Sequence, residues 1–189
     1  MERLTTGELH PQGKDAAFIA LVAPLVLSDK FGKDAGKTIQ VTMMQQRWSN
    51  DLGFPGGKVE AGETLAQAAV REAKEEIDLD VNENELELLC SHDLNGKLHT
   101  HLFIHNTTTN VIKSVITNTV NAEHFVEELG GTMFVYLHDF GRGKGIEKLL
   151  NSSLASTVKE EIGVLCNEVS PELRELVELN ITKESLQIL

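Results

Sequence analysis

From Ala16 to Leu27 the chain is almost unbroken in its apolar character. A run of this length with no polar alternation predicts a strand buried on both faces. Pro24, which has no N–H to give to a ladder, marks a bulge or an edge in its second half. Thr38–Trp48 alternates in part and predicts a second strand, and Ser49-Asn50-Asp51-Leu52-Gly53 is turn chemistry. Leu86–Asp93 and Leu98–His105 predict a hairpin joined by Asn95-Gly96, a dipeptide suited to a tight turn. Residues 107–118 are polar, rich in Thr and Asn, and give no clear element. Further on, Ala122–Leu129 predicts a short helix ended by Gly130-Gly131, and Thr132–Leu137 a strand. Gly141–Gly145 reads as a loop, and Ile146–Glu168 as one or two helices. Pro171, suited to a first helical turn, predicts a helix to about Leu179. Strands, a helix, more strands, then helices describe an α/β chain with helices flanking a mixed sheet. The 189 residues suit one domain. Residues 1–14 are expected as a polar N-terminal arm and 170–189 as a C-terminal helical tail.

The helical stretch that carries chemistry begins after a glycine-rich loop, Phe54-Pro55-Gly56-Gly57, where the backbone must approach something closely. Thr64 and Gln67 have the spacing of a capping box, so the helix should start near Leu65. Leu65, Ala69, Ala73 and Ile77, with Ala66 and Val70, form an apolar stripe. Glu72, Glu75 and Glu76 crowd another face, because residues three and four apart are neighbours on a helix. Like charges at that spacing destabilise a helix. A hard divalent cation with oxygen ligands is the best offset. Arg71 lies four residues before Glu75, close enough to pair with it or to reach back to Glu63.

Charge and composition narrow the partners. Asp and Glu number 29 against 17 Lys and Arg, a net charge of -12. That argues against non-specific nucleic-acid or membrane-surface binding, which needs a basic patch. RNA held at one end through a metal stays open. Cys90 and Cys166 each lie in a mostly apolar run and are expected as reduced core thiols. The first residues lack the apolar core of a signal peptide, and no run reaches the roughly 18 residues of a membrane span. An intracellular protein, cytoplasmic or nuclear, is expected. His99, His101 and His105 share one face of a strand. Zinc binding by the three is weighed against ordinary strand histidines, and the latter are favoured.

The spacing Gly57, Glu63, then Arg71-Glu72-Ala73-Lys74-Glu75-Glu76 resembles the Nudix box. One position departs: Asp78 stands where that family usually has the glycine that ends the helix. Asp tolerates the left-handed conformation better than most residues. The resemblance implies a Nudix-type α-β-α sandwich with a mixed β-sheet, and hydrolysis of a diphosphate linked to another moiety. It implies Mg²⁺ or Mn²⁺ held by Glu72, Glu75, Glu76 and the Gly56 carbonyl. Glu75 is the expected general base, with Arg71 and Glu63 orienting the acidic group. Glu127, Glu128 and Glu160 are alternatives for the base, as in members that use a later glutamate. Lys58 either neutralises phosphate or is solvated.

Met44-Gln45-Gln46-Arg47 followed by Leu52-Gly53-Phe54-Pro55-Gly56-Gly57 is similar to the U8 snoRNA-decapping, inosine-diphosphatase branch. So are Thr100-His101-Leu102-Phe103 and the stretch from Val135 through Gly145 to Leu150-Asn151-Ser152. The branch implies that Arg47 and Phe54 hold the nucleotide and that the protein is a homodimer. Its base-reading histidine is replaced by Phe18 and its late glutamine by Glu160. Glu160 is therefore a candidate substrate contact, and relaxed base preference is expected. The expected activity is hydrolysis of a phosphoanhydride bond in a nucleoside diphosphate derivative or at the 5′ end of capped RNA. A housekeeping nucleoside triphosphate pyrophosphatase and an inactive nucleotide- or RNA-binding module are the rivals.

Overall fold

A computed structural model describes residues 2–141 and 144–187. Part of the loop expected over Gly141–Gly145, and the last two residues of the C-terminal tail, lie outside the described residues. The strands are β1 (Glu2–Arg3), β2 (Asp15–Val26), β3 (Thr38–Arg47), β4 (Leu52–Gly53), β5 (Gly56–Lys58), β6 (Glu87–Asp93), β7 (His99–Asn106) and β8 (Leu129–Leu137). The helices are α1 (Leu65–Ile77), α2 (Thr109–Asn118), α3 (Phe125–Glu128), α4 (Ile146–Leu150), α5 (Val158–Val169) and α6 (Arg174–Gln187).

The sheet runs β1-β6-β7-β2-β3-β4, with β5 also paired to β2 and β8 to β3. It is mixed, because β2 pairs with β7 in parallel and with β3 and β5 antiparallel. The long apolar run is explained by β2 being covered on both sides. Ala20 and Val22 pack with Ile162 and Leu165 of α5 and Val177 of α6. Ile19, Leu21 and Ala23 pack with Ala73 and Ile77 of α1 and Ile112 and Val115 of α2. Alternate side chains of one strand thus feed two cores, which makes the α-β-α sandwich. Pro24 falls just past Val22, where the pairing to β7 ends, and keeps only β3 as a neighbour.

Several elements differ from the sequence expectation. Residues 107–118 hold a helix, α2, capped by the Thr108 hydroxyl, which accepts from the Val111 N–H. Its few apolar positions, Ile112 and Val115, are the ones it buries. Gly130 and Gly131 do not end a helix. They lie inside β8 at a register shift, where Gln46 faces Gly131 and Arg47 faces Leu129. Gly131 has φ 150°, and the extra residue is a β-bulge that redirects the start of β8. The polar arm is docked: Glu2 and Arg3 pair with β6, and the Gly7 N–H donates to Ser91 Oγ. Pro171 opens a 3₁₀ turn, and α6 then runs on to Gln187, beyond Leu179. Cys90 and Cys166 are free and buried, and burial pushes both thiols up to about 12.

Candidate active site

The local rules that build α1 act as expected. Thr64 accepts from the Gln67 N–H while the Gln67 side chain accepts from the Thr64 N–H. Asp78 ends the helix at φ 51°, ψ 38°, so it takes the conformation a glycine would have supplied. The buried face is Ala68, Ala69, Ala73 and Ile77, and it also includes Glu72 and Glu76. The acidic residues therefore do not form an exposed face. Glu72 is 8 % exposed and Glu76 3 %.

Two glycines make room for them. At Gly56 an added Cβ would meet the Ala17 carbonyl oxygen at 2.2 Å. At Gly57 it would meet the Glu72 carboxylate at 2.6 Å. The close pass against the β2 backbone admits only glycine at Gly56, and at Gly57 any larger residue would push the Glu72 carboxylate aside. The Gly56 N–H and Gln45 Nε2 each donate to Glu76 Oε2 at 2.7 Å. Burial raises the Glu76 carboxyl to about 7 despite those two donors, and it raises Glu72 as well.

Arg71 joins the remaining carboxylates. Its Nε donates to Glu63 Oε1 at 2.8 Å, and Nη1 donates to Glu72 Oε1 at 2.9 Å and Glu75 Oε2 at 2.8 Å. Nη2 donates to the Lys58 carbonyl and Glu63 Oε2. The bond from Arg71 holds Glu63 below the usual carboxylate range. Both sequence alternatives for Arg71 are thus realised together, and the guanidinium, a fork of fixed geometry, offsets the like-charge crowding along α1.

Gly56, Gly57, Arg71, Glu72, Glu75 and Glu76 line a cleft of about 630 Å³, within the range of small-molecule sites, with Glu63 behind Arg71 and outside it. Glu60, Glu127 and Glu128 line it too, with Lys58, His124 and the pair Arg47-Trp48. Arg47 Nη2 donates to the carbonyls of Phe54 and Gly56, and its guanidinium lies over the Phe18 ring, 5.4 Å from the centroid.

Two expected substrate contacts are not in this cleft. Phe54 is 0 % exposed and packs among Ala20, Met44 and Leu102, so its ring offers no face to a base. Glu160 lines a separate pocket with Arg3 and His92. The histidine strand face is also accounted for locally. His101 is buried between Ser91 Oγ and Asp15 Oδ1, at 2.8 and 3.0 Å, and burial lowers its pKa. His99 Nδ1 faces the Glu8 carbonyl. The sequence alone does not single out Glu60, Trp48 or His124, which line the cleft, or Gln45, which is buried behind Glu76. Gln45 lies two residues from Arg47 on one strand, and strand periodicity was its available signal.

A divalent cation implied by the box can be tested against the donors present. Among the described residues no three acidic, His or Cys side chains already converge as a cage. Glu72, Glu75 and Glu76 each give one oxygen to Arg71, Gln45 or the Gly56 amide. The other oxygen of each accepts no bond and is not sealed from solvent. Gln45 Oε1 and Arg47 Nε beside them are buried without a hydrogen bond. All-oxygen donors, six glutamates against three cations along the cleft, and the orphaned Gln45 oxygen fit a hard cation; the Arg47 N–H, a donor, suits an anionic substrate group instead.

A family model described as Nudt16-like, U8 snoRNA-decapping enzyme-like, matches residues 29–169. A U8 snoRNA-decapping enzyme of Homalodisca vitripennis is 30% identical over 105 residues, 53% of this chain and 56% of that one. The match thus spans about half the length of that relative. Among solved structures, a mutT/nudix family protein from Listeria innocua superposes with a TM-score of 0.57 at 15% identity, covering 85% of this chain and 96% of that one. The NUDIX domain of Shewanella oneidensis NrtR, complexed with ADP ribose, gives 0.54 at 14%, covering 83% and 88%. At such identities the likeness is one of fold.

Proposed function

The chain belongs to the Nudt16-like, U8 snoRNA-decapping enzyme-like family, and from that membership we propose that it hydrolyses a phosphoanhydride bond in nucleoside diphosphate derivatives, including the 5′ end of capped RNA. The observation that carries this reading is the cluster of Glu72, Glu75 and Glu76 around Arg71 at the floor of a nucleotide-sized cleft. Glu72, Glu75 and Glu76, with the Gly56 carbonyl, would hold Mg²⁺ or Mn²⁺. That ion supplies charge neutralisation at the phosphates and acidity to a water.

The protein groups then have separate tasks. Glu75, tied to Arg71 through one oxygen only, is the general base that accepts the proton of the attacking water, and while it does so Glu72, Glu76 and the Gly56 carbonyl would carry the ion. Arg71 fixes Glu72 and Glu75, and Glu63 fixes Arg71 from behind. Lys58, on the cleft wall, meets substrate phosphate. Arg47 orients the loop carbonyls of Phe54 and Gly56 and stands beside the phosphate path. Glu127 and Glu128 also line the cleft and are the alternative bases. Phe54 and Glu160 have no task in this reading.

We take the chain to act as one Nudix domain, inside the cell, as a homodimer. No described helix is long and apolar enough to cross a membrane. Light scattering that returns a monomer mass would refute the dimer. The function is tested with nucleoside di- and triphosphates and capped RNA, each with Mg²⁺ and Mn²⁺. Release of nucleoside monophosphate or of 5′-monophosphate RNA is expected. Turnover of triphosphates alone would favour a housekeeping pyrophosphatase, and no turnover of any substrate would leave a binding module.

A further inference from the structure

One aromatic in the cleft takes no part in the phosphate chemistry. Trp48 follows Arg47 at the end of β3, lines the same cleft as Glu72, Glu75 and Glu76, and is 80 % exposed. Its backbone is held. The Trp48 N–H donates to the Glu128 carbonyl at 3.1 Å, and the Arg47 N–H donates to the Asp51 carbonyl at 2.9 Å. Asn50, at φ 68°, closes the turn by donating to the Arg47 carbonyl. The indole is therefore presented to water from a fixed strand end.

A lone exposed apolar residue is ordinary on a protein surface. This one is set apart by its position beside the carboxylates and by what is missing around it. Among the described residues it is the only Phe, Tyr or Trp lining the cleft. Phe54 is sealed in the core, and Phe18 lies beneath the Arg47 guanidinium. Lys58 and Arg47 can meet the diphosphate of a nucleotide, and the carboxylates can do so through a cation. The Arg47 plane already lies over Phe18, and His124, at 30% exposure, is a smaller and less open ring than the indole. An indole stacks on every base alike.

We propose that Trp48 is the stacking platform for the substrate's nucleobase, a contact of binding rather than of chemistry. The proposal rests on the nucleotide-hydrolase reading of the same cleft. It makes base preference weak, since stacking without buried hydrogen-bond partners does not discriminate.

Because this is the chain's only tryptophan, its fluorescence reports the contact directly. The probes are the methylene-bridged analogue of guanosine diphosphate and, as base-less control, methylenediphosphonate, both with Mg²⁺. Saturable quenching by the nucleotide and none by the diphosphonate is expected. By calorimetry, Trp48→Ala should weaken the nucleotide analogue by roughly 5- to 150-fold, the range that base–aromatic stacking supports. It should leave the diphosphonate unchanged, and Trp48→Phe should recover most of the loss. In turnover, Trp48→Ala should raise KM with little change in kcat, as expected for uniform binding. Equal quenching by both ligands, or an equal loss of both in Trp48→Ala, would overturn the proposal and leave hydrolysis intact. So would a shift from dimer to monomer with nucleotide affinity unchanged, which would assign the indole to a subunit interface. Failure of the wild type to bind either ligand would overturn the nucleotide reading together with the stacking.

Discussion

Replacing Arg71 by Met removes five hydrogen bonds that converge from one guanidinium on Glu63, Glu72, Glu75 and the Lys58 carbonyl. The cost differs among the partners. The Glu63 and Glu75 side chains are 20% and 26% exposed, so water replaces part of what Arg71 gave, and each pair is worth roughly 0.5–1 kcal/mol. Glu72, at 11%, has less access to water. Leaving it without its charged donor costs roughly 2–3 kcal/mol. The sum is about 3–5 kcal/mol without metal. For a chain of this size 1 kcal/mol moves Tm by roughly 2–4 °C, so a fall of about 6–20 °C is expected. A divalent cation should restore part of that loss, because it can neutralise the carboxylates Arg71 has released. Thermal unfolding of Arg71→Met and wild type, each in chelator and in millimolar Mg²⁺, measures both effects. A Tm in chelator within about 2 °C of wild type would show that the carboxylates do not need the guanidinium. The account of the cluster would then fail.

Glu75→Gln should fold normally and lose roughly 10²–10⁴ in kcat, the usual loss for a general base; near wild-type turnover at saturating Mn²⁺ would remove Glu75 from that role. Phe54→Ala should destabilise by about 3–5 kcal/mol, the cost of a core cavity, measured by denaturant unfolding. The folded fraction should keep the wild-type KM, whereas a raised KM at wild-type stability would return the ring to the substrate. Glu161 lies 1 % exposed and accepts from Thr157 Oγ1 and Thr100 Oγ1, and burial raises it to about 6. A carboxyl raised on folding is protonated longer in the folded state, so its contribution to stability falls between about pH 4.5 and 6 and is level outside that window. Glu161→Gln should therefore gain roughly 2 kcal/mol relative to wild type from pH 4.5 to 6.5; a constant difference between the two proteins across that range would refute the shift.

The parts of the structure legible in the sequence are those set by local rules. The Thr64–Gln67 box and Asp78 are read from spacing alone because capping involves only neighbouring residues. Asn95-Gly96 likewise makes its turn, with positive φ at both residues and the Lys97 N–H donating to the Leu94 carbonyl. The helix α2 was hidden because Thr and Asn propensities are poor, and it is held by two buried residues and a cap. Gly130-Gly131 misled because glycine serves both a helix end and a bulge, and only the β3 partner decides between them. Phe54 and Trp48 show the same limit at the site. Both flank one turn, and which ring is buried depends on β2, β7 and α5 packing over Phe54, contacts no local pattern contains.

The pairing of β2 has a kinetic consequence. Ala17 is partnered by Gly57 on one side and by His101 on the other, and the Ile19 N–H also donates to the Pro55 carbonyl. The glycine loop that seats Glu72 and Glu76 therefore hangs on a strand whose other neighbour comes from the second half of the chain. Contacts so distant in sequence form slowly, because loop-closure entropy must be overcome before they yield anything. A fragment ending after α1 would contain the whole acidic motif but lack the parallel partner that holds β2 in place. The motif should thus acquire its geometry only with the complete sheet. In native-state hydrogen exchange the Gly56 amide should open with the slowest, globally protected class rather than with the surrounding loops.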